Sequence, residues 1–318
     1  QLLGSARVRL MAARGERPSP FIDRTLYTGW NAMGVTAYLE TARVLRMESA
    51  RDFALLTLRR LLAEAWSGED HLYHVIGYPA RKMAAGAAPS EKIPGTLDDY
   101  AFTIHACVDG WLASGRMEFC HAAVKLADAM IARFYDQSAG AFYDTAAPRP
   151  GTVPLGALTT RRKPMQDSPT PAGNPTAASA LLRLEAITGR KQYREVAEQT
   201  LAIFSGIVEH FGLYAGSYGL ALERLLLDPV QVIVVGSGAE AARLEAMAVA
   251  RYGVNKTVMR VAPFRLVPGG VPEALAEMLL EAPKPKNSEV YTIVCRGRTC
   301  LPPITDAEEL LKALESED

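Results

Sequence analysis

TLDDYAFTIHACVDGWLASG, residues 96–115, runs straight into RMEFCHAAVKLADAMIARFY, residues 116–135, and this pair of segments decides the fold. In the first, Leu97, Ala101, Ile104, Val108 and Trp111 recur three and four residues apart, the spacing of one face of an α-helix. The second has the same period with more charge, at Lys125, Asp128 and Arg133. Between them is room only for a tight turn, and a short aromatic stretch, AFYDT at 141–145, follows. The unit predicted is a helical hairpin with an apolar first helix and a half-exposed second one.

Two further stretches repeat the plan. TGWNAMGVTAYLETARVL (28–45) precedes SARDFALLTLRRLLAEAW (49–66) and HLYHV (71–75). NPTAASALLRLEAITG (174–189) precedes KQYREVAEQTLAIFSGIVEHF (191–211) and GLYAG (212–216). Tyr73, Tyr143 and Tyr214 recur at intervals of 70 and 71 residues, and Phe53, Phe119 and Tyr193 open the second helices. A fixed period of this length means stacked hairpins, each of which needs neighbours to cover its apolar face. Buried first helices and charged second helices fit an α/α toroid. Three hairpins make half of a six-hairpin ring, and a fourth begins in SYGLALERLLL (217–227).

The pattern changes after Asp228. PVQVIVVG, KTVMRVAP and EVYTIVC read as strands, and SGAEAARLEAMAVARYG, VPEALAEMLLE and DAEELLKALE as helices between and after them. Alternation of this kind predicts a small parallel α/β unit. The expected domains are therefore 1–228, mainly α, and 229–318, α/β.

Composition narrows the partners. The 318 residues carry 35 basic and 35 acidic side chains, so no cationic surplus points to nucleic acid or to an anionic membrane. No apolar run is long enough to span a bilayer. The basic N-terminus lacks the uninterrupted apolar core of a signal peptide and an initiator Met, so a fragment or a processed chain is expected. Of four cysteines only Cys295 and Cys300 are close; their spacing is not CxxC, and no His pair follows at zinc spacing. Reduced thiols, a cytoplasmic location, no metal and no cofactor are expected.

The pieces FIDRTLYTGWNAM, GTLDDYAF, FYDTA, DSPTPAGNPTAASALLRL, DPVQVIVVG and VCRGRTCLPPITD occur in this order along the chain. Together they resemble the thioredoxin-domain-containing proteins of the spermatogenesis-associated protein 20 type. That resemblance implies an N-terminal thioredoxin-like domain followed by a six-hairpin toroid, similar to N-acylglucosamine 2-epimerases and α/α glycosidases. It also implies that this chain is the C-terminal portion of such a protein, with any CxxC chemistry outside it. One departure is at Arg24 and Thr25 after Asp23, where the family has a second acid and a Lys.

Candidate chemistry gathers where the first helices begin. Thr96 and Asp99 fit a capping box, so Asp99 reads as structural. Thr28–Asn31 has the same shape, and Asn174 before Pro175 reads as an N-cap. Asp98 instead shares a face with Phe102, His105 and Asp109, away from the apolar stripe. If these helix starts line one mouth of a cavity, Trp30, Asn31, Tyr100 and Asn174 converge there with Asp98 as a sugar-binding set, the aromatics against C–H faces and the polar groups on hydroxyls. A glycosidase needs a second carboxyl, about 5–5.5 Å away for retention or 6.5–9.5 Å for inversion. Asp167 is the better candidate, ahead of Asp23 and Asp144. An epimerase needs bases beside a carbonyl, commonly histidines; His105 is the candidate inside a first helix, and no clear His pair stands out. Gly236-Ser237-Gly238-Ala239-Glu240-Ala241 approximates a dinucleotide turn, but no acid ends the next strand, so a tight strand-to-helix turn is the plainer reading.

The functional expectation is a carbohydrate-active protein of the epimerase or glycosidase type. The alternative is a non-catalytic interaction or scaffold module working with a thioredoxin-like domain. The expected partners are a small sugar or glycan and, against the open ends of a half ring, the missing N-terminal portion or a second copy.

Overall fold

The structure, a computed structural model, describes residues 2–20, 23, 25–77, 93–147, 160–267, 269–281, 285, 288–297 and 299–315. The chain divides into two compact units, residues 1–26 with 77–91, and residues 27–76 with 92–318. In the first unit lies α1 (Leu2–Gly15), with no buried residue, and Asp23, which accepts the Thr25 N–H at 2.8 Å. The short strands β1 (Thr25–Tyr27) and β2 (Val75–Gly77) fall at the boundary positions in sequence.

The second unit holds the hairpins. They are α2 (Thr28–Leu45) with α3 (Glu48–Ala65), α4 (Leu97–Ser114) with α5 (Met117–Phe134), and α6 (Gly173–Thr188) with α7 (Lys191–Phe204). A fourth first helix, α8 (Gly216–Leu226), follows a 3-10 segment at Val208–Ala215. The first helices α2, α4 and α6 each pack on their own second helix, and successive first helices pack together, α2 on α4, α4 on α6 and α6 on α8. This is the inner and outer layering of an α/α toroid. The reason is in the side chains: α4 and α6 are apolar nearly all round and are buried on most faces, whereas α3 and α7 bury one stripe. Helix termini follow their chemistry. Gly115 and Gly189 end α4 and α6 with φ of 65° and 70°, a left-handed conformation that glycine adopts without strain.

The C-terminal segment forms a four-stranded sheet from β3 (Val230–Val235), β4 (Lys256–Val261), β5 (Tyr291–Arg296) and β6 (Thr299–Cys300), in the order β4-β3-β5-β6. Its helices are α9 (Gly238–Ala250), α10 (Glu273–Glu281) and α11 (Ala307–Glu315). One face of the sheet packs through Val230, Val232, Val234 and Val294 against Leu244 of α9 and Leu310 of α11. On the other face Gln231, Ile233, Met259 and Leu275 of α10 share a small cavity with Trp111 and Ile187, near the far ends of α4 and α6. Strand β3 is therefore buried at every position, which explains its unbroken apolar run.

Two expectations need correction. The sheet is mixed: β3 and β4 are parallel, but β5 runs antiparallel to β3. A strand buried on both faces carries no alternation to mark its direction, so element order alone suggested a wholly parallel sheet. Cys295 and Cys300 are not free thiols; they stand opposite each other across the β5–β6 pair and are disulfide-bonded. Cys107 and Cys120 are free and buried, and burial pushes both thiols upward, Cys120 to about 11. Among the described residues no helix is long and apolar enough to cross a membrane.

Candidate functional site

The capping box forms at the start of α4, and Asp99 does more than close it. Its Oδ2 accepts the Thr96 N–H at 2.8 Å and the Thr96 hydroxyl at 3.0 Å. Its Oδ1 accepts the Gly29 N–H at 2.8 Å, so one carboxylate serves the first turns of both α4 and α2. A Cβ at Gly29 would stand 3.1 Å from that oxygen, which is why glycine fits there. The Thr28 hydroxyl, expected to cap α2, donates to the Tyr73 carbonyl instead. Asp99 also accepts from His74 Nδ1 at 2.8 Å. With 2% of its surface exposed, it is a buried hub of helix starts.

Asp98 has no such duty. No hydrogen bond engages its side chain among the described residues. It lies half-buried against the start of α6, where a Cβ at Gly173 would collide with Asp98 Oδ1 and with Leu97. Burial, the Asp99 charge and the Asp144 charge raise its carboxyl to about 6, with His74 opposing. Asp144 adjoins through the Leu97 N–H, which donates to its carbonyl at 2.9 Å; its own Oδ1 accepts the Arg162 N–H at 3.0 Å.

At the start of α2 lies a chain of rings. Trp30, 63% exposed, tilts against Tyr27 at 4.8 Å between centroids, and Tyr27 meets His74 edge-on at 5.5 Å. Asn31 donates from Nδ2 to the Tyr27 carbonyl at 2.8 Å and is half-buried. Trp30 and Asn31 thus lie in the first turn of α2, His74 bonds Asp99 where α2 and α4 begin, and Asp98 faces the start of α6.

The remaining sequence candidates lie elsewhere in role. Tyr100 is fully buried; its hydroxyl donates to the Asp70 carbonyl at 2.6 Å and accepts the Leu72 N–H at 2.9 Å. Asn174 is fully buried inside the first turn of α6, where Ala172 is the N-cap residue. Its Oδ1 accepts the Phe142 N–H at 2.7 Å, and Nδ2 donates to the Phe142 and Pro164 carbonyls at 2.9 and 2.8 Å. Neither reaches a ligand, because every polar atom is occupied below the surface. Asp167 accepts from the Ala172 N–H and the Ser217 N–H, both at 2.8 Å, and from the Ser217 hydroxyl, which makes it the cap of α8 rather than a partner for Asp98.

His105 bridges helices. Its Nε2 faces the Thr176 carbonyl at 3.2 Å, which only an N–H satisfies, and its Nδ1 accepts from Arg183 Nη1 at 2.9 Å. Arg183 also pairs with Asp109. Burial, and then the Arg183 charge, pull His105 down to about 3, so it stays neutral and structural. His74 was the residue that sequence reasoning passed over. It is 25 residues from its carboxylate, and only the pairing of helix starts brings the two together.

The glycine turn after β3 opens on a groove of about 490 Å³ lined by Gly115, Gly236, Ser237, Gly238, Arg260, Phe264 and Arg265. Both arginines are engaged, Arg265 with the Gly115 carbonyl at 2.5 Å and Arg260 with Glu245 at 3.4 Å. Gly236 and Gly238 have φ of 140° and 80°, as the tight turn requires. Among the described residues no group of three or more His, Cys, Asp and Glu is placed to hold a metal ion.

No protein-family model matches the chain. The chain is 26% identical to human spermatogenesis-associated protein 20 over 324 residues, 98% of this chain and 39% of the human one. It is a relative of those proteins, as the motifs implied, and spans about two-fifths of the human protein's length. Two solved structures are similar in part. A GH76 α-mannanase from Bacteroides thetaiotaomicron matches 66% of this chain and 54% of its own, with a TM-score of 0.47 and 14% identity. A cellobiose 2-epimerase from Spirochaeta thermophila matches 57% of this chain and 43% of its own, with a TM-score of 0.43 and 18% identity. Nothing about the activity of this chain follows from likenesses of that size.

Proposed function

We propose that this relative of spermatogenesis-associated protein 20 is a carbohydrate-active protein that binds a small sugar at the shared start of α2 and α4. The observation that carries the reading is the ring chain Trp30–Tyr27–His74, exposed at Trp30 and ending on the Asp99 carboxylate, with Asp98 the next residue in sequence and free of capping. Flat aromatic surface takes the C–H face of a sugar, and a carboxyl with open acceptors reads hydroxyls. The test is titration of the 318-residue chain with a panel of small sugars by calorimetry. Micromolar to millimolar binding is expected for at least one sugar, weakened about 10-fold by Trp30→Ala and by Asp98→Asn. No binding across the panel would end this reading.

A second reading has its own observation. Tyr38, Leu45, Phe53 and Leu56 of the first hairpin are exposed, with the Tyr38 and Phe53 rings 5.0 Å apart. An apolar face of this kind suits an interaction module that docks a second copy or a further hairpin. Sedimentation of the chain tests it: association that Phe53→Asp abolishes favours the module, and a monomer at all concentrations counts against it.

A further inference from the structure

We propose that the Cys295–Cys300 disulfide is a thiol–disulfide exchange site, entered at Cys300 and reduced by a dithiol while the chain stays folded. It stands apart from the sugar-binding reading and does not depend on it.

The two cysteines differ in access. Cys295 lies within β5, alongside Gln231 of β3, and none of its surface is exposed. Cys300 ends β6, the last strand in the order β4-β3-β5-β6, and is half-buried between the exposed residues Thr299 and Leu301. An incoming thiolate attacks the sulfur it can reach. The entry point is therefore Cys300 Sγ, and the enclosed Cys295 sulfur is the leaving group.

The bond is not what holds the hairpin. Only five positions separate the cysteines, and a loop that short is the least a cross-link can constrain. Backbone bonds tie the strands instead. The Leu301 N–H donates to the Val294 carbonyl at 2.9 Å, and Thr292 and Ile304 exchange N–H bonds at 2.7 and 2.9 Å. At the turn the Gly297 N–H donates to the Pro229 carbonyl at 3.0 Å, and Arg296 Nη2 donates to the Ala313 carbonyl of α11 at 2.8 Å. With these bonds in place the opened pair keeps its register, Cys295 opposite Cys300, and is positioned to close again.

That fixed placement selects the reductant. When a thiolate bonds to Cys300 Sγ, the bond to Cys295 breaks, and the Cys295 sulfur leaves with the electron pair and takes up a proton. It is then held beside the mixed disulfide and can attack Cys300 to expel the incoming thiol. A monothiol is turned back by this route. A dithiol has a second sulfur, which as a thiolate attacks the first, closes the reductant's own disulfide and frees Cys300, which takes up a proton in turn. Two electrons and two protons pass from the dithiol to the cysteine pair, and the dithiol becomes a disulfide.

Cys107 and Cys120 supply an internal reference. Both are free, and their burial, which raises both thiols, keeps them inert in the folded chain. In the experiment the 318-residue chain is treated without denaturant with dithiothreitol, or with mercaptoethanol at equal thiol concentration. Samples are quenched in acid, unfolded and alkylated, and labelled cysteines are located by peptide mass mapping. Cys107 and Cys120 should label at every time point. Labelling of Cys295 and Cys300 should appear at least about 10-fold faster with the dithiol, with far-UV circular dichroism unchanged, and should reverse when the dithiol is removed in air. In the folded chain Cys295→Ser should trap glutathione from its disulfide at Cys300 about 10-fold or more faster than Cys300→Ser traps it at Cys295. A disulfide that yields only once urea unfolds the chain, equal rates with the two reductants, loss of the folded signal on reduction, or trapping at Cys295 as fast as at Cys300 would each overturn the exchange site.

Discussion

The starts of α4 and of α8 face the same problem and solve it with different numbers of acids. Each leaves N–H groups of its first turn without helical partners. At α8 one carboxylate, Asp167 from the preceding loop, takes the Ser217 N–H and hydroxyl and ties in Ala172. At α4 two acids stand together. Asp99 caps its own helix and reaches across to α2, and Asp98 is left without a capping role in a half-buried place that raises its carboxyl to about 6. The difference shows how a repeat fold can leave an acid at a helix start without a capping duty. One acid is the requirement of the architecture, and a second acid beside it is surplus to folding.

That contrast sets the order of effects. Asp99→Ala leaves the Gly29, Thr96 and His74 donors facing a buried gap and should cost on the order of 3–4 kcal/mol in urea unfolding. A loss below about 1 kcal/mol would mean that Asp99 is not the hub described. Asp167→Ala should cost about 2 kcal/mol, since its site is only half-buried, with amide exchange rising first in the opening turn of α8.

Asp98→Asn should have the opposite sign. A carboxyl whose folded value lies above its ordinary 3.8 stabilises the fold below about 3.8 and loses that contribution as pH rises through about 6. The amide does not ionise, so the variant should be more stable than the wild type at pH 8 by about 1–2 kcal/mol, and equal to it near pH 4. Equal urea midpoints at both pH values would show that Asp98 is an ordinary solvated acid. Trp30→Ala should move stability by no more than about 0.5 kcal/mol, because the ring is exposed, while sugar affinity falls. A large stability loss instead would recast Trp30 as part of the packing.

Periodicity in the sequence made the hairpins legible. Leu97, Ala101, Ile104, Val108 and Trp111 point inward as their spacing requires, and Thr96–Asp99 forms its box. The fourth first helix and the strand that begins at Val230 also lie where the pattern puts them. The pattern could not tell which polar groups at the helix starts face outward. Asn174 and Tyr100 carry ligand-type atoms, yet the bridges at Phe142 and Leu72 take them up, and those pairings depend on how loops fold back. His74 was hidden for the same reason, since its value lies in a contact between successive repeats. Burial on both faces removed the signal for the direction of β5, and spacing alone did not reveal that Cys295 and Cys300 oppose each other.

Of the predicted site residues, Trp30 is exposed and Asn31 and Asp98 are half-buried, while the polar side-chain atoms of Asp167, His105, Tyr100 and Asn174 are engaged within the fold. The most direct measurement is a carboxyl ¹³C titration of Asp98 in the 318-residue chain, with Asp98→Asn assigning the signal. A midpoint near 6 is expected, because burial and the neighbouring Asp99 and Asp144 charges oppose its ionisation. A midpoint near 3.8 would place Asp98 in water at an ordinary helix start, and the distinction drawn between the two acids would fail.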